Sequence, residues 1–138
     1  MREQILANLN QAVSFHKEIK TLHTDSLPEA IINGCDLAIE SGIPTAINNL
    51  IGHINSVERK ELYPQVKSIQ EGIEFFSNPD LDKSIDKAIN DTTMVGFDGS
   101  TTPIPSKRII EGIAFAINTS VDSLRNPLML ARLTQSQG

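Results

Sequence analysis

The stretch from Arg2 to Leu22, REQILANLNQAVSFHKEIKTL, decides the class of fold. Its apolar residues Ile5, Leu6, Leu9, Ala12, Val13 and Ile19 return at intervals of three and four, the period of a helix buried along one side. The same period continues outward from it. Ser26 stands three residues before Glu29 and predicts a capped helix from about Leu27 to Ser41, which Gly42 closes in a left-handed turn. Pro44 suits the first turn of the next helix, which carries Ile47, Leu50, Ile51, Ile54 and Val57 inward. Pro64 interrupts or starts a fourth helix with the stripe Val66, Ile69, Ile73 and Phe76. Asn78-Pro79 ends it and caps a fifth, lined by Leu81, Ile85, Ala88 and Ile89. A sixth helix follows Ser106 with Ile109, Ile110, Ile113, Ala114 and Ile117, and a last helical stretch from about Val121 to Leu133 kinks or restarts at Pro127.

The one long break is Asp91 to Pro105, with Gly96, Gly99, Pro103 and four threonines. Asp98-Gly99 between Thr93–Phe97 and Ser100–Ile104 is a two-residue hairpin signal, so a small hairpin projecting from a helical body is expected. A repeat also shows in the spacing: Ile31, Gly34, Leu37 and Ile43 recur as Ile69, Gly72, Phe75 and Leu81, then as Ile109, Gly112, Phe115 and Val121. A glycine inside a helix costs about 1 kcal/mol relative to alanine, so three in one register imply close helix contacts. The period is longer than that of tetratricopeptide repeats, and Asn33, Glu71 and Glu111 stand where that family has an apolar residue, so no family is assigned.

Composition narrows the function classes. Eighteen isoleucines and twelve leucines in 138 residues are enough for an autonomous core. Seventeen acidic against twelve basic residues give a net charge of -5, a field that repels phosphate backbones, so nucleic acid is disfavoured. The start MREQILANLNQAVSF lacks the apolar run of a signal peptide, no segment approaches eighteen apolar residues, and a single Cys35 excludes an internal disulfide. No membrane and a cytoplasmic setting are the expectation.

Candidate chemistry is sparse. His16 and His23 lie about 10 Å apart along one helix face, too far to share one ion, and His53 borders the Leu50 and Ile54 face. Hydrogen-bonded, half-buried histidines are the simpler expectation. Cys35 joins Ile31 and Ala38 at helical spacing and reads as a small buried hydrophobe. The nucleotide, redox and zinc motifs GxxxxGK[ST], GxGxxG, CxxC and HExxH are absent. Asp98 followed by hydroxyls would need a parallel sheet with crossovers to act as a phosphoryl acceptor, and one strand-like segment cannot supply it.

The expectation is therefore an all-α domain over residues 1–138, frayed at 135–138, of six or seven short helices packed as antiparallel hairpins, with one protruding loop or small hairpin at about 91–105. No catalytic, cofactor or metal residue is expected. The predicted function is a non-enzymatic protein-interaction module (adaptor, chaperone or assembly component) that binds a protein partner through Met94, Val95, Phe97 and Asp98, with self-association left open. A small-molecule-binding or catalytic helical bundle built on His16, His23 and His53 is the alternative. A nucleic-acid binder would require Arg2, Lys107, Arg108, Arg125 and Arg132 to converge.

Overall fold

A computed structural model describes residues 2–22, 27–90, 93–95, 101–103 and 106–137. The fold is all-α. Its elements are α1 (Arg2–Leu22), α2 (Glu29–Leu37), a π-turn (Ala38–Gly42), α3 (Ile43–Glu58), α4 (Ile69–Phe76), α5 (Leu81–Asn90), two three-residue strands β1 (Thr93–Val95) and β2 (Thr101–Pro103), α6 (Ser106–Asp122) and α7 (Arg125–Gln137). The periodic stripes meet in one hydrophobic core. Ile5, Leu9, Ala12 and Ile19 of α1, Ile43 to Ile54 of α3, Leu81, Ile85 and Ala88 of α5, and Ile110, Ile117 and Val121 of α6 all contribute. Helix α1 packs on α4, α6 and α7, while α3 packs on α4, α5 and α6. No helix among the described residues is long and apolar enough to cross a membrane.

The largest departure from the sequence reading lies at Gly42. Gly42 is right-handed, at φ -59 and ψ -54, and the helical backbone runs unbroken from Glu29 through the π-turn to Glu58. The expected first hairpin is thus one continuous rod. Pro44 explains the wide turn, because its ring would strike the Glu40 carbonyl in a straight α-helix and it has no N–H to donate. The turn is closed instead by the Ile43 N–H donating to the Ala38 carbonyl, five residues back. That turn also keeps Cys35, Ile39, Ile43 and Ile47, each four residues on, close to one buried face. At its start, α2 has Pro28 in the cap position and no side-chain cap; Ser26 lies outside the described residues.

Helix α3 ends differently. Arg59 takes the left-handed conformation (φ 58, ψ 33), with its N–H bonded to the Ser56 carbonyl and that of Lys60 to the Asn55 carbonyl. This is the Schellman closure that glycine ordinarily supplies. The chain then crosses residues 60–68 without regular structure, so Pro64 neither kinks nor starts a helix. Helix α4 begins at Ser68, whose Oγ accepts from the Glu71 N–H at 3.2 Å, while Glu71 reaches back to accept from the Lys67 N–H at 2.6 Å. The spacing Ser68-x-x-Glu71 is that of a capping box, with the carboxylate reaching one residue further back than the N-cap. Asn78 caps the next helix as expected, its Oδ1 accepting from the Asp80 N–H at 2.9 Å.

The 91–105 segment contains an antiparallel pair, with Thr93 opposite Pro103, Met94 opposite Thr102 and Val95 opposite Thr101. An unbroken ladder around a two-residue Asp98-Gly99 turn would instead set Thr93 opposite Ile104, so the pairing is one residue out of that register. Helix α7 restarts at Arg125 with Pro127 in its first turn.

The recurring glycines do not share an environment. A Cβ at Gly72 would lie 2.5 Å from the Ile47 Cδ1, whereas one at Gly34 or Gly112 would meet nothing within 4 Å. Leu37 and Phe115, which match Phe75 in the spacing, are exposed. The packing explanation holds at Gly72 alone. Gly34→Ala and Gly112→Ala should therefore each stabilise the protein by about 0.5–1 kcal/mol through helix propensity. Gly72→Ala should gain nothing or lose stability, since the buried Ile47 must shift. Equal gains at all three positions in urea unfolding would show that the Ile47 side chain relaxes freely. Arg59→Gly should raise stability by about 0.5–1 kcal/mol by removing left-handed strain, read as a higher denaturation midpoint at unchanged slope.

Candidate functional site

Two surfaces emerge, both absent from the sequence expectation. The first is a groove of about 480 Å³ between the irregular segment Tyr63–Lys67 and helix α4. Two asparagines on α3 build its first wall. The Asn55 side chain donates to the Tyr63 carbonyl at 2.8 Å and accepts from the Tyr63 N–H at 3.0 Å. Asn48 does the same to Val66, at 2.9 and 2.7 Å. A carboxamide carries the donor and acceptor of a peptide unit, so each asparagine acts as a one-residue strand partner. Seven residues along α3 advance about 10.5 Å, and three residues of polyproline-like chain advance about 9.3 Å, so two such clamps can hold one extended segment.

Tyr63 anchors the floor. Its ring meets Phe75 edge-on at 5.1 Å, Phe75 meets Phe76 at 5.0 Å, and its hydroxyl shares a 2.8 Å hydrogen bond with the buried Ser84 of α5. Helix α4 forms the opposite wall with Glu71, Glu74, Phe75 and, just past its end, Asn78. Glu71 is held by its capping bond, whereas the Glu74 carboxylate has no hydrogen bond or ion pair among the described residues. The sequence signals were two asparagines seven apart on a helix flank and the chain's one tyrosine.

The second surface is the outer face of α7. Leu124, Leu128 and Ala131 point into the protein, whereas Met129, Leu130 and Leu133 are 57%, 46% and 53% exposed. At 100° per residue, these three occupy an arc of about 100° opposite the buried side. Contacts along its flank tie α7 to α1 and to the end of α6. Arg132 donates to both Glu18 carboxylate oxygens, and Arg125 bonds Asp122 at 2.7 Å while lying 5.3 Å above the Phe15 ring. The Arg132 guanidinium holds the Glu18 carboxyl below its ordinary value.

The residues named from sequence fall as follows. Met94 and Val95 lie on β1; Phe97 and Asp98 lie outside the described residues. His16 sits within the α1 stripe between Ala12 and Ile19, and its Nε2 bonds the Asp36 Oδ1 at 2.6 Å; Lys20 reaches the same oxygen at 3.4 Å. It is the half-buried, satisfied histidine expected. His23 is outside the described residues, and His53 is half-buried on α3. Among the described residues no three His, Cys, Asp or Glu gather to hold a metal ion. Cys35 is buried, and burial, aided by the Asp36 charge, pushes its thiol up from 9.0, which opposes thiolate formation. Arg2 pairs with Asp82, Arg125 with Asp122 and Arg132 with Glu18, so three of the five dispersed cations are engaged.

Three groups couple stability to acid, the exposed Glu18 paired with Arg132 and, less exposed, His53 and Asp36. Burial lowers His53 from its ordinary 6.5, so the unfolded chain takes up that proton more readily and stability falls as pH drops below about 6.5. The His16 hydrogen bond, with help from Lys20, lowers Asp36 from 3.8, a contribution present above that value and lost as pH falls through the lower, folded-state value. The melting temperature should therefore be flat near neutrality and fall in two stages. His53→Gln should remove the first stage, and Asp36→Asn should lower the melting temperature at pH 7 and diminish the second; an unchanged profile in both variants would refute these assignments. Comparison with family models, with curated proteins and with solved structures finds no match to this chain.

Proposed function

We propose that the chain is a non-enzymatic protein-interaction module, an adaptor, chaperone or assembly component, that presents the outer face of α7 to a protein partner. The observation that carries this reading is the stripe Met129, Leu130 and Leu133, whose large side chains stay in water on the helix side opposite the core. Contiguous exposed apolar residues bordered by polar ones are a common mark of protein contact surfaces. The border here is Asn126, Arg125 and Arg132. The hairpin residues Met94, Val95, Phe97 and Asp98 belong to the same reading as further contact candidates. A cytoplasmic setting belongs to it too, supported by a free, buried Cys35 thiol. A second copy of the chain is one admissible partner.

The test is a paired substitution, Met129→Lys with Leu133→Glu. Both sites are exposed, so stability should change by no more than about 0.5 kcal/mol. Cross-linking in native extract followed by mass spectrometry should recover a defined partner, or the chain itself, with the wild type and lose it with the double variant. The same cross-links from both proteins, or none from either, would overturn the proposal.

A further inference from the structure

The groove beside Tyr63 carries an inference independent of α7, with which it shares no residue. Its wall is half of a ladder. The Tyr63 and Val66 backbones are taken by Asn55 and Asn48, but the Gln65 N–H and C=O between them have no protein partner among the described residues. Gln65 is exposed and lines the groove. The Asn48 bond to the Val66 N–H fixes the peptide unit that carries the Gln65 C=O, and the Gln65 N–H lies in the unit between the two clamps, which lowers the ordering cost of a contact there.

We propose that the groove receives an extended segment of a partner protein that carries a basic residue two positions from an aliphatic one. Main-chain bonding to Gln65 gives the attachment, as in strand addition to an exposed edge. Alternate residues of an extended peptide share a face, so one side chain lies on the Phe75 ring while the other meets the Glu74 carboxylate. The charge favours a cation. Glu71 and Glu74 outnumber Lys67 among the lining residues, and the whole chain carries -5. A volume of about 480 Å³ falls within the range of sites that hold compact ligands, which suits a few peptide residues.

Tyr63 is the chain's single tyrosine and there is no tryptophan, so intrinsic fluorescence reports on the groove itself. The probe is a blocked hexapeptide, Ser-Arg-Ser-Leu-Ser-Ser, which is silent at tyrosine wavelengths. At low salt it should change the Tyr63 signal saturably, with an affinity weakened about tenfold or more by Glu74→Lys and by Gln65→Pro. Gln65→Pro removes the unpaired N–H, and an unchanged melting temperature confirms that this variant folds. Glu74→Gln, which keeps the shape, should weaken binding through charge alone. No saturation up to about 1 mM peptide would overturn the inference. So would equal affinity in Glu74→Lys, or equal binding of a peptide with Leu replaced by Ser, which would indicate plain attraction to an acidic surface. Failure here leaves the α7 cross-links untouched, and failure there leaves this titration untouched.

Discussion

The burial of one face of α3 is the constraint on which the other elements depend. Ile43, Ile47, Leu50, Ile51 and Ile54 are all essentially removed from water, and each such side chain contributes about 1.5–3 kcal/mol on transfer. That face fixes the helix in rotation, and its flank is fixed with it. Asn48 and Asn55 therefore point at the returning chain in a set direction, and Gly72 lets α4 close onto Ile47. The two ends of α3 carry the associated backbone cost. A π-turn accommodates Pro44 at one end, and a left-handed arginine reverses the chain at the other.

The groove follows from a substitution of side chain for backbone. A crossing segment with no strand beside it must find partners for its peptide groups or leave them to water. Two carboxamides satisfy one side of Tyr63–Val66, and Tyr63 is then held from α3, α4 and α5 through Asn55, Phe75 and Ser84. Two helix-borne carboxamides thus take the place of the strand partner this segment lacks. Gln65, between the two clamps, is left exposed.

Helix α7 separates the two roles in another way. Its hold on the body comes from Leu124, Leu128 and Ala131, which are buried, together with the Arg125 stack on Phe15. The Arg132–Glu18 pair is solvent-exposed and adds little. The Met129, Leu130 and Leu133 side chains stay about half exposed on the opposite side of the helix. On α1, by contrast, His16 occupies a stripe position and is accommodated by Asp36, a polar contact that links α1 to α2 in one register.

Helix existence, most of the stripes that face inward and the Asn78 cap were legible in the sequence, because periodicity and capping act within a few residues of chain; Ile109 is exposed and Val66 is buried from outside α4. So was a short antiparallel pair within 91–105. The stop expected at Gly42 was not observed. Local chemistry there permits an end, but the common burial of Ile39, Ile43 and Ile47 favours continuation, and burial is settled by elements far along the chain. The same reason limits the glycine repeat: three identical spacings meet three different neighbourhoods, and only Gly72 faces another helix closely. The groove and the exposed α7 stripe are tertiary facts of this kind. An asparagine on a helix flank and a leucine on a helix have no address in one dimension; which side of the helix faces the core decides whether they clamp a chain, fill the interior or stand in water.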